Sequence, residues 1–74
     1  MAEAKDILKA LAGQQNFQRG VEQHVPISAL DGLIEGLDQV EAQKLLFTTM
    51  RDVQPVGDGP ERRIVIPAKY FEGL

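Results

Sequence analysis

Two consecutive segments of the chain repeat their apolar residues at the spacing of one α-helical face, and only a short turn separates them. The first, residues 28–37, carries the stripe Leu30, Leu33, Ile34 and Leu37, at i, i+3, i+4 and i+7. The second, residues 39–52, carries the stripe Ala42, Leu46 and Met50, which Val53 continues just beyond the segment and which Leu45 and Phe47 widen. The pattern predicts a helix–turn–helix whose two stripes share one core.

Capping residues support both predicted helix starts. Ser28 and Asp38 stand at N-cap positions, where a side-chain oxygen accepts a free backbone N–H. An acidic residue follows each cap by three positions and approximates a capping box. Gly32 and Gly36 weaken the first helix, since each costs about 1 kcal/mol relative to Ala in a helix interior. Both glycines lie off the apolar stripe. They are either a weakness tolerated on a solvent-exposed face or a flat face that lets a partner backbone come close.

A third helix is predicted nearer the N-terminus, over residues 3–12, with the stripe Ala4, Ile7, Leu8 and Leu11. Acidic residues in its first turn and Lys9 near its end match the helix dipole. So short a helix is unstable alone in water, so it must pack on the rest of the chain. Residues 14–26 stay open between a short helix and an ordered loop, because Gly20 weakens a helix and Pro26 ends one.

The C-terminal third predicts a β-hairpin over residues 53–66. Its turn is the glycine-rich stretch of residues 57–60, where glycine can supply positive φ. In the second strand Ile64 and Ile66 alternate with more polar neighbours, as in a half-buried strand. An apolar tail follows over residues 69–74. Three short helices and a C-terminal hairpin give an α+β fold with the outline of a winged helix-turn-helix, in one domain over residues 1–74.

Length and charge exclude several classes of protein. The net charge of −3 weakens non-specific attraction to nucleic acid and to anionic membranes. Cysteine is absent from the 74 residues, so neither disulfides nor thiolate metal sites reinforce a small core, and a partner or second copy would add buried area. No apolar run approaches the ~20 residues that span a bilayer, and no secretory signal is visible. We therefore expect a cytoplasmic protein that does not enter the membrane.

Catalysis and metal binding have little support among the residue types present. His24 and Ser28 are the one His and the one Ser of the chain, and the predicted capping role already occupies the Ser28 hydroxyl. The carboxylates of residues 31–38 fall along a predicted solvated face without the spacing of a calcium loop. We expect no enzyme activity, no metal and no cofactor.

The expected function is therefore that of a small non-catalytic interaction domain, such as an adaptor, inhibitor or accessory factor. It would bind a partner protein or associate with itself as a homo-oligomer. The strand at residues 62–66 would be an exposed sheet edge, whose free N–H and C=O groups can recruit another strand. The predicted partner-binding residues are Arg62, Arg63, Val65, Tyr70, Phe71 and Leu74. Alternatively, the last three of these fold back and seal the core.

Two other interpretations remain. A dimeric winged-helix DNA-binding regulator would use the cations Lys44, Arg51, Arg62 and Arg63. The net charge and the carboxylates beside these cations disfavour that interpretation. An all-helical oligomerisation module with a disordered tail would require that the hairpin does not form, and the alternation at residues 63–66 disfavours it.

Overall fold

The computed structural model describes residues 2–74, which form two α-helices and a three-stranded antiparallel sheet. The elements follow in the order α1 (Ala4–Ala12), β1 (Gln23–Pro26), α2 (Gln39–Thr49), β2 (Gln54–Val56) and β3 (Arg63–Ile66). Three short 3-10 turns lie at Ile27–Leu30, Gly59–Glu61 and Ala68–Tyr70. The α+β class predicted from the sequence is confirmed.

The sheet has the strand order β1-β3-β2, so β3 pairs on both sides. In its register Ile64 lies opposite Val25 of β1 and Pro55 of β2. Val25, Ile64 and Ile66 are buried, whereas their strand neighbours on the other face are not. The buried face of the sheet therefore meets the helices, and its other face lies open.

The core joins residues from both helices, β1, β3 and the turns between them. Its fully buried large side chains are Ile7, Leu30, Leu46, Met50, Ile64 and Ile66. Burial was predicted for Ile7, Leu11, Leu46 and Met50 and is confirmed. Leu33, Ile34 and Leu37 were also predicted to be core residues, but they are half-buried and pack at its margin.

The predicted helix over residues 28–37 is wrong. A 3-10 turn ends at Leu30, and Gly32 and Gly36 then adopt φ of 73° and 82°, which a right-handed helix excludes. The Leu37 N–H donates to the Ile34 carbonyl at 3.0 Å, which closes a second tight turn. Successive turns bring apolar residues to one side at the same spacing as a helix does. Without this helix the winged helix-turn-helix outline does not hold.

The other predicted elements are present, with shifted boundaries. The helix predicted at residues 3–12 is α1, and the helix predicted at residues 39–52 is α2, which ends three residues earlier. Asp38 caps α2 as predicted, because its Oδ1 accepts the Glu41 N–H at 2.9 Å. The predicted hairpin is β2 with β3, extended by β1 into a larger sheet. Residues 14–26, left open from the sequence, contain turns followed by β1.

The structure also shows an internal repeat that sequence reasoning missed. Residues 25–33, VPISALDGL, and residues 66–74, IPAKYFEGL, each run from a strand through proline into a 3-10 turn. Pro26 and Pro67 have nearly the same conformation, with φ/ψ of −57°/138° and −58°/147°. Each repeat then buries one large apolar side chain, Leu30 or Phe71, and two residues later reaches a glycine of positive φ, Gly32 or Gly73.

The sheet register relates the two repeats by a pseudo-two-fold axis. Val25 pairs with Ile64, and its equivalent Ile66 pairs with Gln23, which is the equivalent of Ile64. Exchanging the repeats therefore maps one pair onto the other, about an axis through the His24–Val65 pair. A helix precedes each repeat and buries an alanine and a leucine four residues apart: Ala4 and Leu8 in α1, Ala42 and Leu46 in α2. Strand β2 and the loop after it exist only in the second half.

Replacing Gly32 by alanine should destabilise the protein by about 1–2 kcal/mol, because an L-residue is strained at positive φ. An added Cβ would meet nothing within 4 Å, so the backbone conformation alone sets this cost. Gly13→Ala is the matched control, since Gly13 has φ −82° and its Cβ would meet only ordinary contacts. Urea unfolding of both variants measures the difference. A gain of about 1 kcal/mol in Gly32→Ala, the value for a helix interior, would contradict the turn.

Leu30 and Leu33 should differ strongly in their contribution to stability. Leu30 is fully buried, so Leu30→Ala should cost about 2–5 kcal/mol, enough to unfold much of so small a protein. Leu33 lies at the margin, so Leu33→Ala should cost only about 1 kcal/mol. Thermal melts of the two variants test this order. Equal losses would mean that the margin of the core is as closely packed as its centre.

Candidate interaction surfaces

The strand predicted to be an exposed edge, residues 62–66, lies in the middle of the sheet. Arg63 and Val65 belong to β3, which pairs with β1 on one side and β2 on the other. The backbone groups of β3 are therefore not available to recruit a partner strand, and the edge prediction is wrong. Sequence reasoning placed no strand in residues 14–26, so it gave β3 one neighbouring strand instead of two.

The two real edges each carry a proline at an outward position. The Ile27 N–H donates to the Arg62 carbonyl at 3.1 Å, and antiparallel strands alternate inward and outward backbone groups. By this alternation the nitrogens of Pro26 and Pro55 face away from β3. Proline has no N–H to offer a further strand, so both edges resist strand addition.

The C-terminal tail folds back onto the protein at Phe71. This side chain is only 2% exposed, and its ring centroid lies 5.0 Å from that of Phe17. Arg19 covers the Phe17 ring and donates a hydrogen bond to the Phe71 carbonyl at 3.3 Å. Of the predicted partner-binding tail residues, Phe71 is thus a core residue, whereas Leu74 is exposed.

Tyr70 and Lys69 hold the tail against the segment that follows α2. The Tyr70 hydroxyl donates to Asp52 Oδ1, and Lys69 Nζ lies 3.0 Å from Asp52 Oδ2. These hydrogen bonds, that from Tyr70 first, lower the pKa of Asp52 from its ordinary value of 3.8. The same contacts with Asp52 raise the pKa values of Lys69 and Tyr70. The three side chains form a clamp between the last 3-10 turn and the start of β2.

The open face of the sheet carries a line of polar contacts across the pseudo-two-fold axis. Arg63 Nε donates to His24 Nδ1 at 3.2 Å, and His24 Nε2 lies 3.0 Å from Glu22 Oε2. Both ring nitrogens are therefore engaged. Arg63 is held on this face and is not free to join the other predicted cations.

No constellation for metal binding is found in the part of the chain that the structure describes. Among residues 2–74, no three His, Asp or Glu side chains lie close enough together to hold a metal ion. No helix within those residues is long and apolar enough to cross a membrane.

The solvent side of α2 is the surface that the sequence did not single out. In α1 the apolar residues form one buried stripe, whereas in α2 only Ala42 and Leu46 are buried and further apolar residues extend round the helix. Ala42 and Leu46 face the core, yet Val40 is 55% exposed and Phe47 only half-buried. The apolar arc of α2 in the sequence is wider than one core-facing stripe needs, and that excess was the available signal. From the sequence, Phe47 was instead predicted to widen the core-facing stripe.

Val40 and Phe47 line a shallow groove along α2 with Gln43, Lys44 and Thr48. Gln43 also lines a second shallow groove, beside the loop before β3, which reaches Pro60 and Arg62. We call the two together the α2 groove. Among the described residues that line it, the charged ones are Lys44 and Arg62. Of the predicted site residues Arg62 thus reaches this groove, while Arg63 lies on the sheet face.

Comparisons of the chain with models of protein families, with curated protein sequences and with solved structures found no match. The surfaces described above therefore carry the functional argument.

The clamp at Asp52 should give stability an acid dependence. Because the folded-state pKa lies below 3.8, the contribution of Asp52 is present above that pH and is lost as pH falls through the folded value. Asp52→Asn should therefore destabilise the protein at pH 7, and the deficit relative to wild type should shrink below pH 3.8. Asp58→Asn removes a loop carboxylate without touching the clamp and is the control. Urea unfolding across pH provides the measurement, and a pH-independent deficit would contradict the assignment.

Proposed function

We propose that this protein is a small non-catalytic domain that binds a partner protein through the α2 groove. The observation that carries the proposal is the pair of apolar side chains, Val40 and Phe47, that α2 holds at the surface. Burying a valine or phenylalanine side chain fully contributes about 1.5–3 kcal/mol. An ordered helix that presents two such groups seven residues apart offers a partner a fixed pair of anchors.

The fold supports a side-chain surface in preference to strand addition. Each sheet edge carries a proline at an outward position, so the edge offers an added strand no N–H donor there. The open sheet face is the competing surface, because Val56 on it is 41% exposed. On that face, however, Glu22, His24 and Arg63 already satisfy one another. The α2 groove also has internal polar contacts, from Gln43 to the Gln39 carbonyl and from Lys44 to Glu41, but Val40 beside them stays 55% exposed.

Nucleic-acid binding has one observation in its favour, which is that Lys44 and Arg62 line one surface. Two phosphate contacts release few counterions, so such binding would be weak and sensitive to salt. Of the other two predicted cations, Arg63 is engaged with His24 on the open sheet face, and Arg51 lies beyond the end of α2 and lines neither half of the groove. The helix–turn–helix that would place α2 in a DNA groove is also missing, since residues 28–37 form turns. Protein binding is therefore the function that we retain.

The test is capture of partners from the native host by three baits: wild type, Val40→Ser and Val56→Ser. The two valines are both exposed, at 55% and 41%, so both variants should stay folded, which thermal melting checks. We expect a partner that wild type and Val56→Ser retain and Val40→Ser loses. Loss with Val56→Ser alone would assign binding to the open sheet face. A partner that is indifferent to both substitutions, or no partner at all, would contradict the proposal.

A further inference from the structure

We infer that the α2 groove takes an acidic amphipathic helical segment of the partner protein. This inference rests on the proposed function and adds the chemistry of the partner. Apolar residues of the segment would cover Val40 and Phe47, and its carboxylates would pair with Lys44 and Arg62. The groove would thus bind a helix by its apolar face and select it by charge.

The spacing of the groove fits a helix. Val40 and Phe47 are seven residues apart on α2, which at 1.5 Å per residue separates them by about 10.5 Å along the axis. A partner helix lying along α2 presents its own residues i and i+7 at the same interval. The groove is shallow and open, so it suits one side of a helix better than a deeply inserted side chain.

The charge of the groove is opposite to that of the whole chain. The protein carries a net charge of −3, yet the charged side chains that line the groove are both cationic. Glu41 lies 3.8 Å from Lys44, but the two side chains are 57% and 70% exposed, and pairs of this kind contribute little. Lys44 is therefore free to exchange this contact for a partner carboxylate. Gln43, between the two halves of the groove, adds a neutral amide to the lining.

A second copy of this chain fits the groove poorly. Pairing Val40 with Phe47 of another copy places the two-fold axis between Gln43 and Lys44, so the two Lys44 ammonium groups would lie side by side. Each copy also carries a net charge of −3, which adds repulsion. A nucleic acid fits poorly as well, because Val40 and Phe47 offer it no charge and the cations are only two. An acidic helix satisfies both the apolar and the cationic residues.

The test measures binding of a fluorescent synthetic peptide to the full-length protein. The peptide is a helix of alanine and glutamate residues, with leucines at positions i and i+7. The matched probe has lysine in place of every glutamate, and a duplex DNA is the third probe. We expect anisotropy to show binding of the glutamate peptide, weakened by salt, and little binding of the lysine peptide. Val40→Ser should also weaken binding of the glutamate peptide, because it removes an apolar side chain that the peptide would cover.

Charge reversal supplies the sharpest comparison. Lys44→Glu should weaken binding of the glutamate peptide about tenfold. The substitution removes one attraction and adds one repulsion, and each of these changes the affinity by about fivefold at most. Lys5→Glu is the matched control, because Lys5 on α1 has the same 3.8 Å ion pair with a glutamate and lies outside the groove. It should weaken binding less than twofold. The double variant Lys44→Glu/Arg62→Glu should prefer the lysine peptide.

Each other outcome would overturn the inference in a specific way. Equal weakening by Lys44→Glu and Lys5→Glu would mean that net charge alone acts. Tighter binding of the duplex, lost in Lys44→Glu, would assign the groove to nucleic acid, and dimers lost in Val40→Ser would assign it to a second copy. If no acidic peptide binds but a captured partner depends on Val40, the proposed function stands and the acidic helix falls. If neither peptide binding nor a captured partner depends on Val40, the acidic-helix inference and the proposed function are both contradicted.

Discussion

Strand β3 joins parts of the chain that are far apart in sequence, and the rest of the structure depends on that pairing. Ile64 and Ile66 are fully buried between the sheet and the helices, and β3 hydrogen-bonds to β1 from the first half of the chain and to β2 from the second. Removing β3 would leave β1 and β2 with no strand between them. Both 3-10 turns that flank the β1–β3 pair then lose their anchor. The pairing of β1 with β3 therefore joins the two halves of the core, and the two helices pack against each other beside it.

The local elements could be predicted from the sequence because their signals are local. The stripe of α1 and the Asp38 cap of α2 each lie within a few residues, and the structure contains both. The turns at residues 28–37 were mistaken for a helix, because two tight turns reproduce the helical spacing of apolar residues. Strand β1 was missed because it has four residues and buries only Val25. Pairing with β3, about forty residues away, is what makes that segment a strand.

The candidate site was less predictable than the fold. Arg62 was assigned to a partner surface from the sequence, and it does line the α2 groove, but Phe71 lies in the core. The exposed position of Val40 depends on which side of α2 meets the sheet, and that follows from tertiary packing. The groove also depends on asymmetry between the two halves. It is completed by the loop of Gly59, Pro60 and Arg62, which has no counterpart between α1 and β1.

The outward prolines at both sheet edges bear on how recognition by this protein can change. Strand addition reads the backbone, which every sequence shares, and it therefore tolerates many partners. Because Pro26 and Pro55 each remove an outward donor from the sheet edges, the proposed recognition relies on side chains. A side-chain surface can be retuned by one or two substitutions while the fold stays intact. On the proposed function, the edges thus leave partner choice to a few exposed residues, which can diverge faster than the core.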